Sequence, residues 1–353
     1  MSNEFKMEFP ITMLGARGVG KTSMIAAMWN EFSRVCDDPS LSLFPNAQSK
    51  VELTARLKEL KAVASGMARP ISEKEGIEAS VEPRDYMLNL HHSSSGVKVQ
   101  VIFRDYPGEW LDQDDTMFFS IVSKLRDARI ILVAIDVPAL MDSDERNETQ
   151  NRPTDIAAAL NKAFKQGHDQ ERLVLFVLMK GERWLRDKQG PKVMERFDKQ
   201  FSKAVRQVNA YKSSTAAVVC PIQTLGAVRF VEFNVQGQAI FEKIGNEEYR
   251  PVDCDQPLRY AMAFMTRMLE QYAAAQKDAK SNDLKKRNPW ERIKDSTLGI
   301  FGIKSAKQQA FDEWLAHSTA LRASVSKFST GCKQDMLFRV LHSPEIIGVK
   351  KTL

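Results

Sequence analysis

Short, continuous apolar runs alternate along this chain with longer segments whose apolar positions recur every three to four residues. Ile11-Thr12-Met13-Leu14, Ile130 to Ile135, Leu173 to Met179 and Ala216 to Cys220 are runs of the first kind. Such runs suit strands covered on both faces of a sheet. Thr22 to Arg34, Val51 to Met67, Val193 to Val208 and Leu258 to Tyr272 have the spacing of helices. Asp85 to Leu90 and Val99 to Phe103 flank the polar turn His91-His92-Ser93-Ser94-Ser95-Gly96, a hairpin pattern. The alternation of strand and helix predicts an α/β fold with a mainly parallel sheet, one antiparallel strand and helices on both faces.

The pattern changes near residue 275. Residues 276–353 carry 15 Lys and Arg against 8 Asp and Glu, whereas residues 1–275 carry 36 against 37. The net charge of +6 is therefore a local property of the C-terminal part. Two domains are expected: residues 1–275, and a basic C-terminal helical extension over residues 276–353. In the extension, Lys285-Lys286-Arg287 marks an arm and Leu298 to Ile303 an apolar island. Ala306 to Phe328 reads as one amphipathic helix through Phe311, Trp314, Leu315, Leu321 and Val325. The arm admits three uses: docking on the first domain or a partner protein, contact with an anionic membrane, or contact with nucleic acid phosphates.

Composition adds exclusions. The chain has 353 residues, 43% hydrophobic and 27% charged, which rules out a disordered or fibrous protein. Cys36, Cys220, Cys254 and Cys332 lack metal-ligand spacing and read as reduced thiols. The first residues have no apolar signal core and no run is long enough to span a bilayer, so a cytoplasmic location is expected. His91-His92 has no acidic or thiol partner at useful spacing and reads as a turn-flanking pair.

The chemistry begins at Gly15-Ala16-Arg17-Gly18-Val19-Gly20-Lys21-Thr22, a full match to G-x-x-x-x-G-K-[ST] between a predicted strand and a predicted helix. Glycines let consecutive backbone N–H groups turn toward phosphate oxygens, and a helix N-terminus adds positive potential. Gly15, Gly18, Val19, Gly20, Lys21, Thr22 and Ser23 are the expected phosphate contacts. Lys21 is expected at the β- and γ-phosphates and the Thr22 hydroxyl at Mg²⁺. Further on, Asp105-x-x-Gly108 follows a predicted strand. Asp105 is the expected carboxylate for Mg²⁺ and Gly108 the expected γ-phosphate sensor. Glu109 stands where many GTPases carry the glutamine that orients water, and the extra negative charge there predicts slow intrinsic turnover. Ser72 is the candidate hydroxyl ligand from the first switch. Arg17 is a candidate catalytic arginine, with Arg104 behind it.

The segment Asp105-Tyr106-Pro107-Gly108-Glu109-Trp110-Leu111 resembles the D-Y-P-G-E-W-L signature of bacterial P-loop GTPase-like proteins of the YcjX type. It also resembles the bacterial double-GTPase group found in conflict and defence gene clusters. Thr224-Leu225-Gly226 is similar to the T-L-G element of that group, and Tyr249-Arg250-Pro251 with Asp255-Gln256-Pro257-Leu258 to its Y-x-P…P-L element. The resemblance covers roughly residues 9–272. It implies a TRAFAC-like GTPase fold in which Asp85–Leu90 pairs antiparallel with Val99–Phe103, and an antiviral role for the chain. Only one phosphate loop is present, so a single GTPase domain is expected. Met179-Lys180-Gly181-Glu182 occupies the position of the guanine-reading [NT]-K-x-D but departs from it at the first and last residues. Lys180 and Glu182 are the candidate base contacts. GTP is the favoured nucleotide and ATP the alternative. The other readings are a nucleotide-binding module without turnover and an ATPase subunit of a larger assembly.

Overall fold

A computed structural model describes residues 7–65, 83–111, 116–167, 170–235, 237, 239–281, 308–342 and 347. The chain runs β1 (Met7–Leu14), α1 (Lys21–Val35), β2 (Leu41–Pro45), α2 (Ala47–Ala64), β3 (Arg84–His92) and β4 (Lys98–Asp105). A 3₁₀ turn at Gly108–Leu111 leads into α3 (Phe118–Asp127) and β5 (Ile130–Asp136). Next come α4 (Val137–Met141), α5 (Asp144–Asn151), α6 (Pro153–Gln166), β6 (Arg172–Met179), α7 (Glu182–Arg186), α8 (Gly190–Gln200) and α9 (Ser202–Asn209). The last elements are β7 (Thr215–Pro221), β8 (Val228–Phe233), β9 (Ala239–Lys243), α10 (Gln256–Ser281), α11 (Gln308–His317), α12 (Thr319–Ser329) and β10 (Arg339–His342).

Eight strands form one sheet in the order β10-β7-β6-β5-β1-β4-β3-β2, while β8 and β9 form a separate hairpin. The ladders among β4, β1, β5, β6 and β7 are parallel. As expected, β3 pairs antiparallel with β4. A second reversed strand, β10, comes from the C-terminal segment and closes the β7 edge. Adding β2 beyond β3 extends the other edge.

The apolar runs are continuous because each central strand feeds two cores. Ile130, Leu132 and Ala134 face one, with α1, α2, α10, α11 and α12. Ile131, Val133 and Ile135 face the other, with α3, α6, α8 and α9. Strand side chains alternate between faces, so burial on both leaves no polar position to mark the period. Met262, Met265 and Met268 of α10 pack in the first core.

Two expected helices are each a pair. Val193 to Val208 breaks at Phe201, which caps one helix and starts the next. Ala306 to Phe328 breaks at Ser318, a fully buried residue whose hydroxyl donates to Leu315 O at 2.9 Å. The C-terminal helices dock firmly: Phe328 lies 4.9 Å from Phe32 of α1 between ring centroids, and Tyr272 OH donates to Asp312 Oδ1 at 2.9 Å. Helix α10 itself runs through residue 275. The basic cluster Lys285-Lys286-Arg287, Trp290 and the Leu298–Ile303 island lie outside the described residues.

The parallel strands present their C-terminal ends along one side of the sheet. The loops at 15–20, 106–111 and 180–181, and the turn at 222–226, leave the sheet there, where α/β folds build ligand sites.

Candidate nucleotide-binding site

β1 is buried at Ile11, Met13 and Leu14, and the chain then turns through Gly15, Gly18 and Gly20, all at positive φ. Helix α1 begins at Lys21 with Gly20 as its N-cap and no side-chain cap. Its first N–H groups are therefore left to a ligand or to solvent. Val19 is fully buried and anchors the loop from below. Lys21 is only 9% exposed; its Nζ donates to Gly15 O at 2.7 Å and sits 3.3 Å from Asp105 Oδ1. The lysine thus spans the loop and ties it to β4. Thr22 Oγ1 lies 3.3 Å from Tyr86 OH of β3, and Ser23 is half-buried beside it.

Burial pushes the Asp105 carboxyl above the usual aspartate range, and the Lys21 ammonium pulls it partly back. Its Oδ1 receives no well-aligned hydrogen bond. A buried carboxylate held only by a 3.3 Å contact with Lys21, at the end of the strand beside β1, together with the Thr22 hydroxyl at the start of α1, is a donor set that fits a bound Mg²⁺. Among the described residues no group of three or more His, Cys, Asp or Glu could hold a metal. The rest of such an ion's shell would fall to phosphates and water, as is usual for Mg²⁺. Ser72 lies outside the described residues.

The segment after β4 is set hard against the phosphate loop. A Cβ on Gly108 would stand 2.6 Å from Arg17 N and 2.7 Å from Ala16 Cα, so only glycine allows this approach. Tyr106 is buried and stacks obliquely on Trp110, with ring centroids 5.8 Å apart. Arg17 and Glu109 are both exposed and line one cleft of about 610 Å³ with Gly108, Arg146 and Arg152. Arg104 is opposite Asp85 in the β3–β4 ladder, on the strand face away from Asp105.

At the end of β6, Lys180 is held in the left-handed region with φ 60°. Its Nζ donates to Gly18 O at 2.9 Å and to Asp136 Oδ2 at 2.6 Å. Asp136 is fully buried, and its other oxygen accepts the Ala139 N–H at the start of α4. The phosphate loop and the ends of β5 and β6 are thereby locked together. Glu182 is the first residue of α7 and its side chain turns inward. It is 1% exposed, and its Oε1 accepts the Leu225 N–H at 3.0 Å. Burial raises its pKa, and Oε2 has no hydrogen-bond partner. The carboxylate anchors the Thr224-Leu225-Gly226 turn rather than lying on an open surface. That turn also meets the Tyr249-Arg250-Pro251 element, where Arg250 N donates to Leu225 O at 3.2 Å.

Asp136, Asn151 and Arg152 join the site without belonging to any of the sequence motifs. Asp136 carried a signal, since it ends a buried run and precedes a proline-started helical turn. Asn151 and Arg152 act only through tertiary contacts.

A Gly-rich loop between a buried strand and a helix, a lysine bridging it to a strand-end aspartate, and a glycine-led turn packed against it define a GTPase-like P-loop domain. Residues 10–223 match the family model Double-GTPase 2, and the chain belongs to that family. No curated protein matches the sequence. Among the described residues no helix is long and apolar enough to cross a membrane.

Proposed function

We propose that the chain is a Mg²⁺-dependent GTPase switch, hydrolysing GTP to GDP and phosphate to govern a partner or activating protein in the cytoplasm. One observation carries the reading: Lys21 joins Gly15 of the phosphate loop to Asp105, while Gly108 packs directly on Ala16 and Arg17. Phosphate-holding, metal-holding and γ-phosphate-sensing groups thus share one contact network.

The α1 N-terminus and the loop N–H groups would bind the phosphates. Lys21 carries the mobile positive charge for the β- and γ-oxygens. Thr22 and Asp105 would hold Mg²⁺, which when bound neutralises charge on those oxygens. Gly108 reports the γ-phosphate through its N–H, and Glu109 orients the attacking water. Lys180 presents its stem to the base. Glu182, oriented by Leu225, has in Oε2 an acceptor for the guanine edge. A role in bacterial defence follows from the family resemblance.

The test is calorimetric titration with GTPγS and ATPγS in Mg²⁺, followed by phosphate release from GTP. Tight GTPγS binding, weak ATPγS binding and measurable release are expected, with Lys21→Ala abolishing tight binding. Preference for ATPγS would make this an ATPase. Tight binding without release would make it a nucleotide-sensing module.

A further inference from the structure

The cleft beside the switch holds a third arginine that neither the loop nor the β4 motif contains. Arg152 joins α5 to α6 with φ 54° and ψ 48°, a left-handed conformation that a non-glycine residue seldom holds without support. Backbone strain of this kind concentrates at functional sites. The support is visible. Asn151 is fully buried; its Oδ1 accepts Asp136 N–H at 2.7 Å and its Nδ2 donates to Asp136 O at 2.9 Å. The same Nδ2 donates to Asn147 Oδ1 at 2.9 Å. Pro153 fixes the first residue of α6 on the other side. Through Asp136 and Lys180, this corner is indexed to Gly18 of the phosphate loop.

The corner aims one side chain at the switch. Arg152 Nε donates to Asp155 Oδ2 at 2.8 Å, which orients the guanidinium, and Nη1 reaches Gly108 O at 3.4 Å. Its neighbour in the cleft, Arg146, has other duties: it donates to Asp142 at 2.8 Å and lies 4.1 Å over the Phe233 ring. Arg104 is on the wrong face of β4. Arg152 is therefore the arginine built onto a rigid, buried support and pointed at the glycine that would sense the γ-phosphate.

We propose that Arg152 is an arginine finger supplied by the chain itself. It would exchange its contact with Gly108 O for the γ-phosphate oxygens as hydrolysis proceeds, stabilising charge that many GTPases neutralise with a residue from an activating protein. The inference rests on the hydrolytic reading above. In that reaction the water oxygen bonds to the γ-phosphorus. The bond from that phosphorus to the β–γ bridging oxygen breaks, and its electron pair stays on GDP. A water proton passes to the released phosphate. Arg152 makes and breaks no covalent bond.

The test compares wild type with Arg152→Ala and Arg152→Lys in three measurements: GTPγS affinity, single-turnover GTP hydrolysis, and formation of a GDP–aluminium fluoride complex. Both variants should bind GTPγS within about twofold of wild type. Both should hydrolyse at least a hundredfold more slowly, in line with the 10³–10⁵ range for such arginines. Neither should form the aluminium fluoride complex, because a lysine point charge does not reproduce the planar fork. If the alanine variant does not fold, the lysine variant carries the test alone. Hydrolysis within threefold of wild type, or a rate loss matched by an equal loss of GTPγS affinity, would overturn the proposal; the second result would mark Arg152 as structural. Wild-type protein that binds GTPγS but neither turns over nor forms the complex would overturn the hydrolytic reading and the finger together. Wild-type turnover with unchanged variants would overturn the finger alone.

Discussion

Replacing Gly226 by alanine should cost far more than the conformational penalty of its backbone. Gly226 has φ +71°, and an added Cβ would stand 1.7 Å from Arg250 O, where ordinary contact begins at 3.4 Å. The Arg250 segment must therefore retreat by about 1.7 Å. It is held by Arg250 N to Leu225 O at 3.2 Å and by the reciprocal Gln223–Val252 pair at 2.9 Å each way. Losing these three bonds costs about 1.5–4.5 kcal/mol. A left-handed alanine adds about 1–2 kcal/mol. The sum, about 2.5–6.5 kcal/mol, corresponds to a melting point lower by about 3–9 °C for a chain of this length. Gly245 is the matched control: its φ is +52°, and a Cβ there would meet nothing within 4 Å. Gly245→Ala should lose only about 1–2 °C. The reduced entropy of the unfolded chain is the same in both variants and cancels in the comparison. Calorimetric melts of both proteins in one buffer decide the matter. Melting points within about 1 °C of each other would refute the argument from steric overlap.

Two further outcomes are expected. Glu182 has a raised folded pKa because it is buried, so the wild type should lose stability as pH rises from the usual glutamate value of 4.5 through that raised value. Glu182→Gln keeps an acceptor for Leu225 N–H but does not ionise; its melting point should exceed wild type at pH 8, with the gap closing below pH 4.5, whereas a pH-independent gap would contradict the burial argument. Phe328→Ala removes a ring that contacts Phe32 and lies 4.0 Å beneath the Arg259 guanidinium. It should cost about 3–5 kcal/mol in urea unfolding, and a loss below about 1 kcal/mol would mean that the C-terminal helices do not share the main core.

Much of this organisation was legible because its signals are local. The glycines and lysine of residues 15–21 specify a turn and a helix start within seven positions, and the runs at 130–135 and 173–179 specify central strands by burial alone. The remaining features depend on distant residues. Leu41–Pro45 alternates inward and outward over only five residues, too few to distinguish from a loop. Arg339–His342 is a strand only because β7 offers an open edge. The breaks at Phe201 and Ser318 lie inside otherwise periodic segments, so the apolar pattern continues across them. That the Glu182 carboxylate is buried and fixed by a turn more than forty residues away is likewise invisible in Met179-Lys180-Gly181-Glu182. Nothing local marks Arg152, because its backbone is supported by the Asn151–Asp136 pair fifteen residues apart.

The strand β10 has a consequence for how the protein is made. β7 is complete at Pro221, but the strand that covers its edge begins only at Arg339. At about 5–20 residues per second, roughly 6–24 s of translation separate the two. Throughout that interval a nascent chain carries a mostly apolar strand with unpaired backbone donors and acceptors along one edge, a template for pairing with neighbouring chains on the same messenger. Ribosome-associated chaperones would have their greatest effect in that window, and stalling between residues 221 and 339 should yield aggregates that stalling after residue 342 does not.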